Sequence, residues 1–236
     1  MRPRRQELLQ ALQDAATPEA MAWLVESATP DEARMFRAFS SAPRHFPHEP
    51  IGYGSWTQAE AARVELLLAY SGTDADSYVV TCDRLCQAAD VRELVAFYKA
   101  LPLLPWPDRH ALRAAEGVRS NITDVFCAVA HDNPYPSEHF DDVAWNTMVL
   151  KALFIGVELA PIVGLDERAN PALMRMLCDY AHERWAAGRT VSPELWRCVG
   201  PCADDAAIAD LERVIATGTP EEKEAAERAL ASRKES

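Results

Sequence analysis

No apolar run in this 236-residue chain approaches the roughly 20 residues that a membrane-spanning helix needs. The most apolar stretch, Met148 to Val157, is interrupted by Lys151 and Gly156. Clustered positive charge is missing as well. Lys and Arg total 24 against 36 Asp and Glu, a formal charge of -12, which argues against a nucleic-acid or anionic-membrane surface. Arg2, Arg4 and Arg5 are too few to reverse that balance. The beginning of the chain has a basic flank but no continuous apolar region, because Gln6, Glu7, Gln10, Gln13 and Asp14 break up Leu8, Leu9 and Leu12. It reads as an amphipathic helix and not as a signal peptide. Together these absences predict a soluble, cytoplasmic protein with no membrane span and no nucleic-acid partner.

Recognisable chemistry is equally sparse. There is no C-x2-C knuckle; Cys82 and Cys86 are four apart, and Cys198 and Cys202 repeat that spacing across Gly200-Pro201. The six cysteines are therefore expected to be reduced thiols packed as small apolar groups. His182-Glu183 is not a zinc-protease signature, since Ala186 stands where the second histidine would be. Asp141-Asp142 with Asn146 is similar to the aspartate-rich helices that hold magnesium against a diphosphate, but no partner helix with N-x3-S-x3-E spacing exists. Neither a metal nor another cofactor is expected.

What the chain does contain is helix-start punctuation. Thr17-Pro18, Thr29-Pro30, Asn170-Pro171, Ser192-Pro193 and Thr219-Pro220 each put a capping side chain before a first-turn proline. The cap satisfies an orphan N–H, and the proline has none to satisfy. No alternating strand of useful length is present, and Tyr78-Val79-Val80-Thr81 falls between helical segments, so it too is assigned to a helix. The expected helices lie near 4–15, 18–28, 30–40, 57–70, 74–88, 90–101, 107–117, 120–131, 137–155, 171–187, 193–199, 204–216 and 220–232. The fold class is all-α. Short connections predict antiparallel helix pairs, and successive pairs suit an irregular, HEAT-like α-solenoid. A single domain over 1–236 is expected, with N-terminal helices over 1–40, a Pro-, His- and Gly-rich loop or lid over 41–55, a core over 56–200 and a capping helix pair over 203–236.

Charge interrupts strongly apolar helical sequence between His131 and Arg197, and unpaired charge on a buried face is costly. A helix over 137–155, capped by Ser137, is apolar nearly all round, so it should be central, and its Asn146 and Lys151 must find partners. On the helix near 171–187, Arg184 falls between Leu173 and Leu177 on the apolar stripe, whereas His182 and Glu183 lie on the opposite, exposed face. Asp124, Cys127 and His131 form one stripe of the preceding helix, and Asp124 or Asp132 could counter Lys151 or Arg184. Lys151, Arg184, Asn146, His131, Asp124 and Arg168 are thus the candidate ligand-binding residues, for a small anionic or polyhydroxylated ligand. Buried ion pairs and amides that merely tie helices together explain the same pattern. Trp23, Trp56, Trp106 and Trp196 read as core anchors.

Four segments carry a family resemblance: Asp132-Asn133-Pro134-Tyr135-Pro136; Ala144-Trp145-Asn146 with Met148 to Phe154; Gly164 to Pro171; and Tyr180-Ala181-His182-Glu183-Arg184-Trp185-Ala186-Ala187-Gly188-Arg189. In these the chain resembles the EboA-domain family, most densely from about 90 to 200. The resemblance implies a neighbourhood of a UbiA-like prenyltransferase, a TatD-like metal hydrolase, and dehydroquinate-synthase-like, sugar-isomerase-like and phosphatase-like proteins. It therefore implies a part in making or moving a prenylated, polyhydroxylated secondary metabolite, and carries over no catalytic residues. Cys198 and Cys202 look peculiar to this chain. The leading expectation is a non-catalytic accessory protein that binds an intermediate or a partner enzyme. Two alternatives stand beside it: a pure protein–protein adaptor, and an enzyme acting on a phosphorylated or isoprenoid intermediate. In the enzymatic alternative His131 is the acid or base, Asp132 orients it, and Lys151, Arg168 and Arg184 hold an anion.

Overall fold

The computed structural model describes residues 4–70 and 74–233. Arg2, together with the ends of the expected 1–40 and 203–236 segments, lies outside the described residues. Among those described, fourteen α-helices and four short 3-10 turns account for the regular structure, with one isolated β-bridge between Pro50 and Thr57 and no strand. The protein is all-α. Among the described residues no helix is long and apolar enough to cross a membrane. The chain separates into two compact units, residues 1–139 and 140–236.

The first unit contains α1 (Arg5–Ala15), α2 (Pro18–Ser27), α3 (Glu32–Ser41), α4 (Gln58–Ala69), α5 (Ala75–Ala88), α6 (Val91–Ala100), α7 (Ala111–Arg119), α8 (Thr123–Ala130) and α9 (Tyr135–His139). Its centre is α4, which touches α1, α2, α3 and α6. Nine of its twelve residues are buried, including Gln58, Arg63 and Glu65, so this helix is enclosed on every side although its sequence is not uniformly apolar. Thr57 and Glu60 start it with a reciprocal capping box. The Arg63 guanidinium, 2% exposed, donates from Nε to the Phe39 carbonyl at 3.1 Å and comes within 3.8 Å of Glu93. Its Nη1 has no hydrogen-bond partner among the described residues, and burial lowers its pKa below the usual arginine value. Glu65 accepts a two-pronged contact from Arg5.

The second unit contains α10 (Asp142–Ile155), α11 (Pro171–Ala186), α12 (Leu195–Val199), α13 (Asp205–Thr217) and α14 (Pro220–Ala231). α13 and α14 are joined by two residues and pack on each other, and α14 also packs on α12. That last contact is close enough to demand glycine: a Cβ at Gly200 would lie 2.3 Å from the Ala229 carbonyl oxygen.

Local details correct several expectations. The helix expected over 137–155 is two helices, because Asp141 takes an extended conformation and its side chain accepts from Ala144 N–H, capping α10 in place of Ser137. α10 is not enclosed all round either, since Val143 and Phe154 are about three-quarters exposed. Of the five Thr/Asn/Ser-Pro starts, Thr17, Asn170 and Thr219 cap as expected. Asp31, not Thr29, caps α3, and α12 begins at Leu195 without a side-chain cap. Tyr78 to Thr81 lie inside α5, as their setting between helical segments suggested.

Candidate functional site

A concavity of mixed polar and apolar lining in the first unit lies between α6, α8 and the loop leading into α4. On α6 the row Val91, Val95, Lys99 faces it, and on α8 the row Asp124, Cys127, Ala128 continues to His131 and Asp132; His48, Ser55, Glu60 and Arg92 complete the lining. The spacings of four on α6 and of three or four on α8 are those that keep side chains on one helix face. This cleft has a volume of about 490 Å3. A second hollow of about 290 Å3 adjoins it, sharing Ser55, Lys99, His131 and Asp132 and walled by Tyr53, Gly54, Trp56 and Asn133.

Lys99 is the fixed point of the cleft. Its ammonium donates to Glu60 Oε2 and to the Ser55 carbonyl, each at 2.7 Å, and sits 4.6 Å from the centre of the Trp56 ring. Glu60 Oε2 also accepts the Thr57 N–H at 2.9 Å, so one carboxylate closes the helix cap and neutralises the lysine. With 13% exposure on both sides, the pair is screened little by solvent and is worth more than a surface ion pair. The preceding loop is pinned rather than loose. Ile51 N–H donates to the Trp56 carbonyl, Tyr53 OH donates to Glu7 Oε2 and accepts from the Arg4 N–H, and Gly52 and Gly54 take left-handed conformations.

The wall at the end of α8 is built by Asn133. Its Nδ2 donates to the Tyr98 and Ala128 carbonyls, each at 2.9 Å, while its Oδ1 accepts from Tyr135 N–H. A terminal carbonyl of α8 is thereby satisfied and α8 is tied to α6. Holding Asn133 inward turns Asp132 outward, at φ +52, a left-handed conformation that aspartate tolerates better than most residues. Tyr135 OH then donates to the Pro107 carbonyl at 2.5 Å. At the opposite rim, burial together with the Arg92 and Arg63 guanidiniums pushes the His48 imidazole below its usual pKa. Burial and the neighbouring Asp124 carboxylate raise the Cys127 thiol, which keeps it protonated and weakly nucleophilic.

The structure thus brings three predicted residues, Asp124, His131 and Asp132, to one cleft, and places them beside Lys99 and Glu60, which the sequence did not single out. The other four predicted residues belong to the second unit. Asn146 exchanges reciprocal amide hydrogen bonds with Asn170, at 3.2 and 2.8 Å, while Asn170 Oδ1 also caps α11 at Leu173. Arg168 donates to the Phe140 carbonyl and to Asp142, both at 2.7 Å, and lies 5.0 Å from the Trp145 ring centre. Asp141 and Asp142, the possible magnesium pair, are therefore a helix cap and an arginine partner. Lys151 is half-buried, with its pKa lowered by desolvation. Arg184 is also half-buried and donates to the Thr190 carbonyl at 3.0 Å, beyond the end of α11. His182 is exposed and meets Asp210 of α13 at 2.8 Å.

The six thiols are free. Burial pushes Cys82, Cys178 and Cys198 up to about 12 and raises Cys86 further, so they pack as apolar groups. No set of three or more His, Cys, Asp or Glu side chains among the described residues is arranged to hold a metal ion.

A family model described as metabolite traffic protein EboA matches residues 5–200. No curated protein and no solved structure matches the chain.

Proposed function

This chain belongs to the EboA family, and we propose that it is an accessory protein that binds a small-molecule intermediate of a secondary-metabolite pathway in the cleft between α6 and α8. The observation that carries this reading is the cleft's construction. A nearly buried Lys99–Glu60 pair, a pinned loop and an Asn133-braced wall hold a mixed lining in place, and pre-organised polar groups around a partly apolar hollow are what small-molecule recognition requires. The family description, a metabolite traffic protein, points the same way. The Cys127 thiol of the cleft is raised and not depressed, so it adds no activated nucleophile to the His131 and Asp132 of the enzymatic alternative. The succession of short-linked helix pairs, of which α13 and α14 are the clearest, supports reading the fold as an irregular HEAT-like repeat.

The test is to purify the chain from its native host and identify co-purifying small molecules by mass spectrometry, beside a Val95→Trp variant that fills the cleft. A compound carried by the wild type and lost from the folded variant supports the reading. Identical small-molecule content in both overturns it. A second reading, docking of a pathway enzyme, draws on the exposed Val143 and Phe154 of α10. In that case a pull-down of neighbouring enzymes is weakened by Phe154→Ser and not by Val95→Trp.

A further inference from the structure

We propose that the ligand of this cleft is a linear molecule with an ammonium at each end, a polyamine or long diamine, rather than the anionic or phosphorylated compound that the cationic residues of the sequence suggested. The inference rests on the small-molecule reading above and adds the ligand's charge and shape. Lys99 offers no charge to a ligand, because Glu60 and the Ser55 carbonyl already engage its ammonium. Asp124 and Asp132, by contrast, are exposed in the lining, and no ion pair to either is found among the described residues. The lining therefore keeps two uncompensated carboxylates against one guanidinium, that of Arg92. An anion entering here meets repulsion, whereas a cation relieves it.

The two carboxylates are far apart. Asp132 lies at the loop end, where it also lines the adjoining hollow, and Asp124 lines only the larger cleft. Eight residues separate them along and just past α8, roughly 12 Å at the rise of an α-helix. Between them the α8 lining runs through Cys127 and Ala128 to His131, and Val95 of α6 adds to its apolar part. A methylene chain lies over such a strip, and an ammonium at each end meets a carboxylate. A compact dication or a single amine satisfies only one end. Arg92 opposes this occupant, so its removal should improve binding.

Calorimetric titration of the full chain with spermidine, and with 1,8-diaminooctane and 1,4-diaminobutane for length, tests the assignment. Saturable one-to-one binding is expected for spermidine and the longer diamine, with the short diamine at least tenfold weaker. Asp124→Asn and Asp132→Asn should each weaken spermidine binding tenfold or more, and Arg92→Gln should tighten it severalfold. The double variant Glu212→Gln, Glu227→Gln, which removes exposed acids of the second unit, should leave it unchanged. Non-saturable uptake, equal sensitivity to the two second-unit acids, or tighter binding of inorganic phosphate than of spermidine overturns the proposal. If spermidine fails while a co-purifying compound is still lost on Val95→Trp, the charge assignment falls and the small-molecule reading stands. If neither result appears, both fall.

Discussion

Glu60 and Lys99, 39 residues apart on α4 and α6, meet at 2.7 Å with both side chains 13% exposed. Because Glu60 also accepts the Thr57 N–H, it couples the start of the central helix to the cleft wall. Replacing Lys99 by Met strands a nearly buried carboxylate, and replacing Glu60 by Gln strands an ammonium. Each should cost about 2–3 kcal/mol in urea unfolding. The double variant should cost less than the sum by over ~1 kcal/mol; strict additivity would show that the two groups do not interact.

Asn133 is 4% exposed and makes three hydrogen bonds through one amide. Asn133→Ala leaves the Ala128 carbonyl and the Tyr135 N–H without their side-chain partner, while the Tyr98 carbonyl keeps the Leu101 N–H, and should destabilise the first unit by about 1–3 kcal/mol. Hydrogen exchange should speed up at the end of α8 and in α9 before it does in α1. Unchanged protection there would refute the bracing role.

Asp132 keeps a left-handed backbone at φ +52 that glycine adopts without strain. Asp132→Gly should therefore raise stability by roughly 0.5–1 kcal/mol while weakening ligand binding. A variant that loses stability and binding together would mean that the carboxylate serves the fold.

His110, 1% exposed, lies with Nε2 3.1 Å from the Pro105 carbonyl and its ring edge-on to Tyr78. Burial holds its pKa below the ordinary 6.5. The unfolded chain takes up a proton at about that value, and the folded one does so only at lower pH. The contribution to stability is thus intact above pH 6.5 and is lost progressively as pH falls below it. Wild-type melting temperature should drop between pH 7.5 and 5.5 by more than that of His110→Phe; parallel curves would contradict the assignment.

Gly200→Ala should destabilise the second unit by roughly 2 kcal/mol or more, because the added methyl meets the Ala229 backbone, which cannot rotate away. Gly156→Ala, at φ +74 with open space around it, should cost only the conformational penalty of about 1 kcal/mol. Equal losses would show that α12 and α14 part readily.

Helix positions were legible because capping chemistry is local: Thr17, Asn170 and Thr219 act within three residues of themselves. The break at Asp141 was not, since an aspartate pair inside an apolar run reads equally as a metal motif or a cap, and only the backbone at Asp141 decides. Half of the cleft was visible in the Asp124, Cys127, His131 stripe, whose periodicity lies on one helix. Lys99 and Glu60 escaped because each looks like an ordinary surface charge on its own helix, and their pairing depends on two helices packing. Arg63 was missed for a related reason: the enclosure of α4 comes from four neighbouring helices, not from its own hydrophobicity. The apolar residues around Arg63 and Glu65, namely Ala59, Ala61, Ala62, Val64, Leu66 and Leu67, were the available signal.

Tyr53, whose hydroxyl bridges the Arg4 N–H and the Glu7 carboxylate, has a bearing on how the protein is handled. Tyr53 also walls the hollow beside Lys99, so the first turn of α1 and this hollow share a fastening. An affinity tag fused directly ahead of Arg4 would strain that fastening, whereas one appended after α14 is not joined to that turn of chain. Binding assays on this chain are best run with the purification handle at the carboxyl end.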